Sequence, residues 1–421
     1  VFTGLQCFID SIMYASSVFA GSPDLAIAIQ SSLFGYALMQ LVVTYFSGVR
    51  VLIAPVSYEV VPYLKGLSVI VRAAVPTAAA TPTMLAASCI VNGLAALLFG
   101  ILSFLPIGAW LAFLLPPPLQ SGIMATVGWG LYTLAFDVLG VPGPEAALAA
   151  LSAGGQNGSL ALLAEGARLW LAVHALGVGL WLASKRTSHP ALFPTFALLL
   201  TLATHAVRLA AGTTLAEARA GQWFMEEAEG QALWTKGLLS GGVQWKLLLR
   251  PDVLYKLASA TLFGPVICTV LNLLLVGPVI EEAPDTSQEL RAHAAGSLAA
   301  AVGGGYSNYL AVSNTAIHIK CGGRTKASCY VGALVAALFF VAHPLFVIVG
   351  YVPTLLVAAT CVYIGIDLLW DHLVSSALQR GVSAAAATCA VFAICLKVEV
   401  LPGVLTSIAL RLLFLFCGWA I

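Results

Sequence analysis

A chain of 421 residues that is 60% hydrophobic and only 9% charged cannot cover its own apolar surface in water, where a soluble domain carries about 25% charged residues. Mean hydropathy is +0.97, and a net charge of +1 gives no field that would draw nucleic acid or an acidic partner. What remains is a polytopic all-α membrane protein with lipid as its solvent. The nine cysteines form no CxxC pair and no metal-ligand spacing, and read as small buried hydrophobes, with no metal and no cofactor expected.

The first residue is Val1 rather than Met, so the sequence reads as a fragment. The opening apolar stretch contains Asp10 and lacks a small-residue cleavage site, which argues against a signal peptide. A span needs about 20 apolar residues to cross about 30 Å of hydrocarbon. In chain order the candidates are 1–21, 27–47, 83–104, 120–140, 166–184, 190–212, 254–280, 328–350, 352–370, 382–397 and 401–420. A short helix is expected over 106–116, before the Pro116–Pro118 break. Residues 288–304 are small-rich and suited to close helix packing. Gly264-Pro265 should kink its span.

Two segments are too short to span: Val51–Leu64, interrupted by Pro55 and Pro62, and Tyr309–Lys320, which follows Gly303-Gly304-Gly305. Short interrupted segments in corresponding positions of two halves point to a transporter's binding site. Around them the two halves carry a faint echo, Pro55-Val56-Ser57 against Ala311-Val312-Ser313.

Lys185-Arg186, Lys320-Arg324-Lys326 and Arg380 lie in short loops separated by even numbers of crossings, which places them together on the cytoplasmic side. Loop 141–160, with the weak glycosylation acceptor Asn157-Gly158-Ser159, then faces the other side, as does the polar segment 213–252.

The stretch Glu289-Leu290, Gly303-Gly304-Gly305-Tyr306, Ser313-Asn314-Thr315, Gly322-Gly323-Arg324-Thr325 resembles the signature of the sulfate permease (SulP, solute carrier 26) membrane domain. Val352-Pro353 and Gly365-Ile366-Asp367-Leu368 resemble it too, as do Tyr14-Ala15 in the first helix and Arg50 to Pro55 at the third. The resemblance implies about fourteen segments in inverted repeats of seven, here 1–212 and 253–421 around an exoplasmic loop 213–252. It implies core and gate domains, an elevator motion and substrate held between half-helices three and ten. A homodimer is also implied, as is a cytosolic STAS domain after the last span, beyond Ile421. The membrane is the plasma membrane or an endomembrane. Substrate would be a small anion of the sulfate, bicarbonate or chloride type, and the resemblance puts Asp10, Tyr14, Ser57, Tyr58, Glu59, Asn272, Ser313, Asn314 and Thr315 at the site.

Two helix N-termini meeting at one point, each worth about +0.5 charge, suit an anion. Three positions depart from that pattern. Asn314 stands where many members carry Arg, Asp10 where they carry Gln, and Glu59 lies on half-helix three, where a carboxylate at bilayer depth costs about 2.5–3.5 kcal/mol. Glu59 can take up a proton and couple it to solute, or the carboxylates can bind a cation. The run Tyr58 to Tyr63, with Asn272, resembles a fungal vacuolar branch linked to basic amino acids. Ser57 and Ser313 read equally as caps or ligand contacts, and Asn272 as an interhelical bond or a site dipole. His318 and Lys320 complement a helix C-terminus, and Asp367, Asp371 and His372 read as solvated. An enzyme is disfavoured because His174, His205 and His293 form no HExxH-like cluster. A channel or a non-transporting membrane protein is the remaining rival.

Overall fold

With no water in the hydrocarbon, backbone groups must bond locally, and apolar runs of this length therefore become helices. In the computed structural model, residues 2–19, 24–56, 60–106, 113–144, 157–187, 189, 191–227, 242–398 and 400–416 are described. The helices are α1 Phe2–Val18, α2 Leu25–Phe46, α3 Val61–Ala74, α4 Thr77–Leu102, α5 Pro117–Leu139, α6 Asn157–Arg186, α7 Leu192–Ala210 and α8 Leu215–Ala220. They continue with α9 Trp245–Leu248, α10 Pro251–Ile280, α11 Thr286–Gly303, α12 Val312–Lys320, α13 Lys326–Val341, α14 Thr354–Arg380, α15 Val382–Val398 and α16 Val400–Phe416. Six of these, α2, α4, α5, α7, α10 and α14, are long and apolar enough to cross a membrane among the described residues.

The chain divides into two compact units, each built from two separated stretches. Unit 1 comprises Val1–Pro116 and Ala228–Val347, and unit 2 comprises Pro117–Glu227 and Ile348–Ile421. In unit 1, α11 packs between α2 and α4, and α13 covers α1 and α2. Leu290, Phe99, Val270, Leu273 and Leu310 share one apolar cluster there. In unit 2, α14 packs on α5 and α6. Gly128 and Gly365 allow that close approach, since a Cβ on either would stand 2.9 or 2.8 Å from the other's carbonyl oxygen. α7 buries none of its residues, which suits an apolar helix facing lipid.

Several boundaries differ from the sequence expectation. The half-helix expected over Val51–Leu64 is extended from 51 to 55, residues 57–59 lie outside the described residues, and the α-helix that follows is Val61–Ala74, with Pro62 in its first turn. Proline favours that position because its missing N–H is not needed there. In the second segment, likewise, only Val312–Lys320 is helical. The span expected over 328–350 ends at Val341, followed by a 3₁₀ stretch His343–Tyr351, and the one expected to end at 370 continues to Arg380 through a π turn at Trp370–Ser375. The Gly264-Pro265 kink takes the form of a π turn over Leu262–Ile267, where Pro265 has no N–H to give. Of the short helix expected over 106–116, residues 107–112 lie outside the described residues.

Asp367 and Asp371, expected to be solvated, both pair with Lys185 at 2.9 and 3.0 Å. After α7, segment 222–225 is held on the strand-like turn 352–354 by Met225 N–H to Val352 O (2.9 Å) and Thr354 N–H to Trp223 O (3.0 Å). Helix α8 opens with a capping box, in which Thr214 accepts from Glu217 N–H while Glu217 accepts from Thr214 N–H and its hydroxyl. Those bonds from Thr214 hold the Glu217 carboxyl below its ordinary range. A depressed carboxylate stabilises the folded form above its ordinary pKa and loses that contribution as pH falls through the folded value. Amide exchange over 214–221 should therefore speed up on acidification in the native chain, and Glu217→Gln should flatten that pH dependence. Equal pH dependence in both would refute the box as its source.

Candidate substrate site

Breaking a helix inside lipid leaves N–H and C=O groups that must find partners. The two interrupted segments find many of them in each other. Residues 53–56 run antiparallel to 308–311, joined by Tyr309 N–H to Pro55 O (3.3 Å), Ala311 N–H to Ile53 O (3.1 Å) and a bridge between Val56 and Asn308.

Polar side chains on the neighbouring helices complete the pairing. Gln40 of α2 acts as a third strand, its amide donating to Leu52 O (2.8 Å) and accepting from Ala54 N–H (2.9 Å). Thr315 accepts from Ile53 N–H (3.1 Å) and donates to Ala311 O (2.8 Å), tying the first segment to the second. At the end of α11, Gly304 adopts φ 81°, a conformation glycine takes at little cost. Ser31 donates to Gly304 O (2.7 Å), Asn92 to Gly305 O (2.8 Å), and Tyr306 N–H donates to Ser31 O (2.9 Å). Gly35 permits this crossing, because a Cβ there would meet the backbone nitrogen of Tyr306 at 2.8 Å.

Helix α12 starts at Val312, and its N-cap residue, Ala311, is extended and has no side-chain cap. The cap comes from another helix. Asn272 of α10 accepts from Val312 N–H (3.0 Å), and its Nδ2 donates to Cys268 O (2.7 Å), which fixes the amide's orientation. Ser313 is exposed, and its hydroxyl donates to Asn314 Oδ1 (3.2 Å) rather than capping the helix. Thr315 is fully buried in the network above. Tyr14 stacks on Tyr306 with ring centroids 3.6 Å apart. Asp10 is buried on α1. Ser57, Tyr58 and Glu59 lie outside the described residues.

At the other end of α12, His318 Nδ1 lies 2.6 Å from Thr3 Oγ1 and Nε2 lies 2.8 Å from Ser328 Oγ. It therefore links α1, α12 and α13 as well as standing in the last turn. The Gly322-Gly323 pair has a physical basis here. Gly322 takes φ 88°, and a Cβ on Gly323 would collide with the His318 ring.

Gln40, Ser31, Asn92 and Asn308 were not singled out in the sequence. The available signal was an amide in the middle of an apolar run, as at Gln40 and Asn92. Such groups are costly in lipid unless they have a partner.

The sulfate permease family model matches residues 2–392. The chain belongs to the sulfate permease family. Among solved structures, it is similar to the transmembrane domain of the cyanobacterium bicarbonate transporter BicA, with 17% identity and a TM-score of 0.62, covering 98% of this chain and 95% of that one. It is also similar to SLC26A9 (16% identity, TM-score 0.65, covering 99% of this chain and 65% of that one). A third match is the murine Slc26a9 anion transporter in its inward-facing state (14% identity, TM-score 0.65, covering 99% and 68%). At these identities the likeness establishes the fold. No curated protein matches the sequence. As a sulfate permease family member the chain is a multi-pass integral membrane transporter, in keeping with its apolar helices.

Proposed function

We propose that this sulfate permease family member is a secondary transporter of a small anion, bound where α3 and α12 begin and carried by an elevator-type motion. The observation that carries the reading is the crossing itself. Two interrupted segments are locked together by backbone bonds and open into helices whose first N–H groups have no partner in their own helix. The six described candidate residues, Asp10, Tyr14, Asn272, Ser313, Asn314 and Thr315, all belong to unit 1, which fits a core domain that carries substrate. The repeat halves 1–212 and 253–421 and a homodimer belong to the same reading.

A second reading, proton-coupled movement of a cationic or amino-acid solute, rests on the charge of this site. Asn314 is neutral, Asn272 already occupies the first N–H of α12, and segment 308–315 contains no cationic side chain. A substrate panel in proteoliposomes separates the two. Labelled sulfate, bicarbonate and chloride uptake exceeding that of lysine and arginine supports the anion. Amine uptake with inert anions overturns it. On the second reading Glu59→Gln should abolish uptake or its pH dependence while the protein still inserts and folds. Unchanged uptake across about pH 5–8, the range into which desolvation can raise a carboxyl, removes Glu59 from the coupling.

A further inference from the structure

Helix α6, in unit 2, packs one face tightly and leaves another open. On the packed face, a Cβ added at Gly177 would stand 2.6 Å from Val362 of α14. On the open face, Ala175, Gly179 and Ala183 recur every fourth residue, and a Cβ at Gly179 would meet nothing within 4 Å. Small residues at this spacing ordinarily bring a neighbouring helix close. Here the neighbour, α7, stands off. Between the two helices lies a groove of about 570 Å³, lined by those three residues on one side and by Leu192, Phe196 and Leu199 of α7 on the other.

At one end the groove meets polar groups. Thr187 and His189 line it there, and both are exposed. Thr187 Oγ1 accepts from His189 N–H (3.2 Å), which leaves its own hydroxyl hydrogen to donate elsewhere. His189 Nδ1 accepts from Ala191 N–H (3.2 Å), so the hydrogen of the neutral ring sits on Nε2. The cap residue of α7, Ala191, supplies no side-chain cap, and the positive end of that helix therefore faces the same loop. Lys185 and Arg186 cover the negative end of α6. Lys185 is taken up by Asp367 and Asp371, whereas Arg186 is exposed and has no ion pair among the described residues. With Arg380 in the last turn of α14, this end of unit 2 carries three cations against two carboxylates.

The dimensions select the occupant. From Ala175 to Arg186 the helix rises about 16 Å, close to the ~15 Å depth of one leaflet's hydrocarbon. A helix from a second copy, about 10 Å across, would fill on the order of 1,300 Å³ over that length, more than twice the groove's volume. An acyl chain is thinner and has no polar atom to satisfy against an apolar lining. Its phosphate would lie at the membrane surface, where the donors are. The charge distribution along the chain puts this loop on the cytoplasmic side, whose leaflet is anionic and whose lipids bind basic pockets between helices. We infer that the α6–α7 groove binds one anionic phospholipid, with an acyl chain lying along Gly179 and the phosphate held by Arg186, Thr187, His189 and the start of α7. The lipid fills the space that the small residues leave and ties this hairpin to one leaflet.

Photolabelling tests this in phosphatidylcholine nanodiscs that contain a trace of either phosphatidylglycerol or phosphatidylcholine with a photoactivatable acyl chain, followed by peptide mapping. Phosphatidylglycerol should label 175–199 about fivefold more than phosphatidylcholine, the factor that one cationic side chain contributes at an anionic lipid surface. Arg186→Gln combined with His189→Gln should bring the two lipids level. Gly179→Leu, which fills the floor of the groove, should cut labelling by both several-fold. Thermal unfolding checks that each variant is folded, and Ala183→Leu serves the same purpose should Gly179→Leu fail to fold. Equal labelling by the two lipids in the native chain marks ordinary surrounding lipid and overturns the site, as does labelling unmoved by the filled groove. Leu199→Cys chains that crosslink to one another, with no lipid label on 175–199, assign the groove to a second copy and overturn it as well.

Discussion

Asn272→Leu is expected to stop transport while leaving the protein inserted in the membrane. The side chain is 7% exposed, and its carbonyl receives the first N–H of α12. Leucine keeps the volume but removes the acceptor, so the part-buried Val312 N–H loses that bond. A buried donor left unpaired costs about 1–3 kcal/mol, and partial exposure here puts the cost at the lower end of that range. The amide also fixes where α12 begins relative to α10. Losing it should displace the start of the half-helix by fractions of an ångström, which suffices to weaken binding strongly. Asn272→Asp keeps the acceptor and adds charge. On the anion reading it should fold at least as well as Asn272→Leu yet transport anions worse than the native chain. Uptake initial rates with unfolding midpoints for both variants check this. Native uptake in Asn272→Leu would show that α12 needs no partner at Val312.

Gly35→Ala should be comparably damaging for a steric reason. The added Cβ would stand 2.8 Å from Tyr306 N and 2.9 Å from Asn308 Nδ2, closer than real Cβ contacts come. The neighbour on one side is backbone and cannot swing away. Overpacking of this kind typically costs about 1–3 kcal/mol, and here it falls on Tyr306, which stacks on Tyr14, and on the strand that pairs with Val56. A lowered unfolding temperature and loss of uptake are expected together. Gly93→Ala in α4 has open space around its Cβ and should leave both unchanged, so a similar loss there would point to a general sensitivity instead of this crossing.

Much of the fold could be read from apolar runs because lipid imposes one rule on every backbone group. The interruption at Pro55 and Pro62 and the glycines at 303–305 gave away both broken segments. The extent of helix within them did not follow. Pro62 is tolerated in a first turn, so α3 could start at Val61 and run on to Ala74, whereas an apolar count placed the helix earlier. Asp10, Glu59 and Asn314 stand out in the sequence as departures from the residue types the resemblance leads one to expect, though Glu59 lies outside the described residues. That Asn272 would cap α12 from another helix, or that Gln40 would stand in for a strand, depends on which helices adjoin, and spacing along one chain does not encode that. Asp367 and Asp371 keep 35% and 50% side-chain exposure, as expected of solvated residues, but their pairing with Lys185 was not legible because it lies 182 and 186 positions away.

The pairing of 53–56 with 308–311 also bears on how the protein is made. Val56 and Asn308 are about 250 residues apart. At translation rates of about 5–20 residues per second, the first segment waits on the order of ten to fifty seconds for its backbone partner. Gln40 is the exception. It lies only 12 residues before Leu52 and meets two of the extended segment's polar groups from within the same emerging hairpin. If those two bonds form before Asn308 is made, ribosome-bound chains halted before Asn308 should depend on Gln40 for insertion more than the finished protein does.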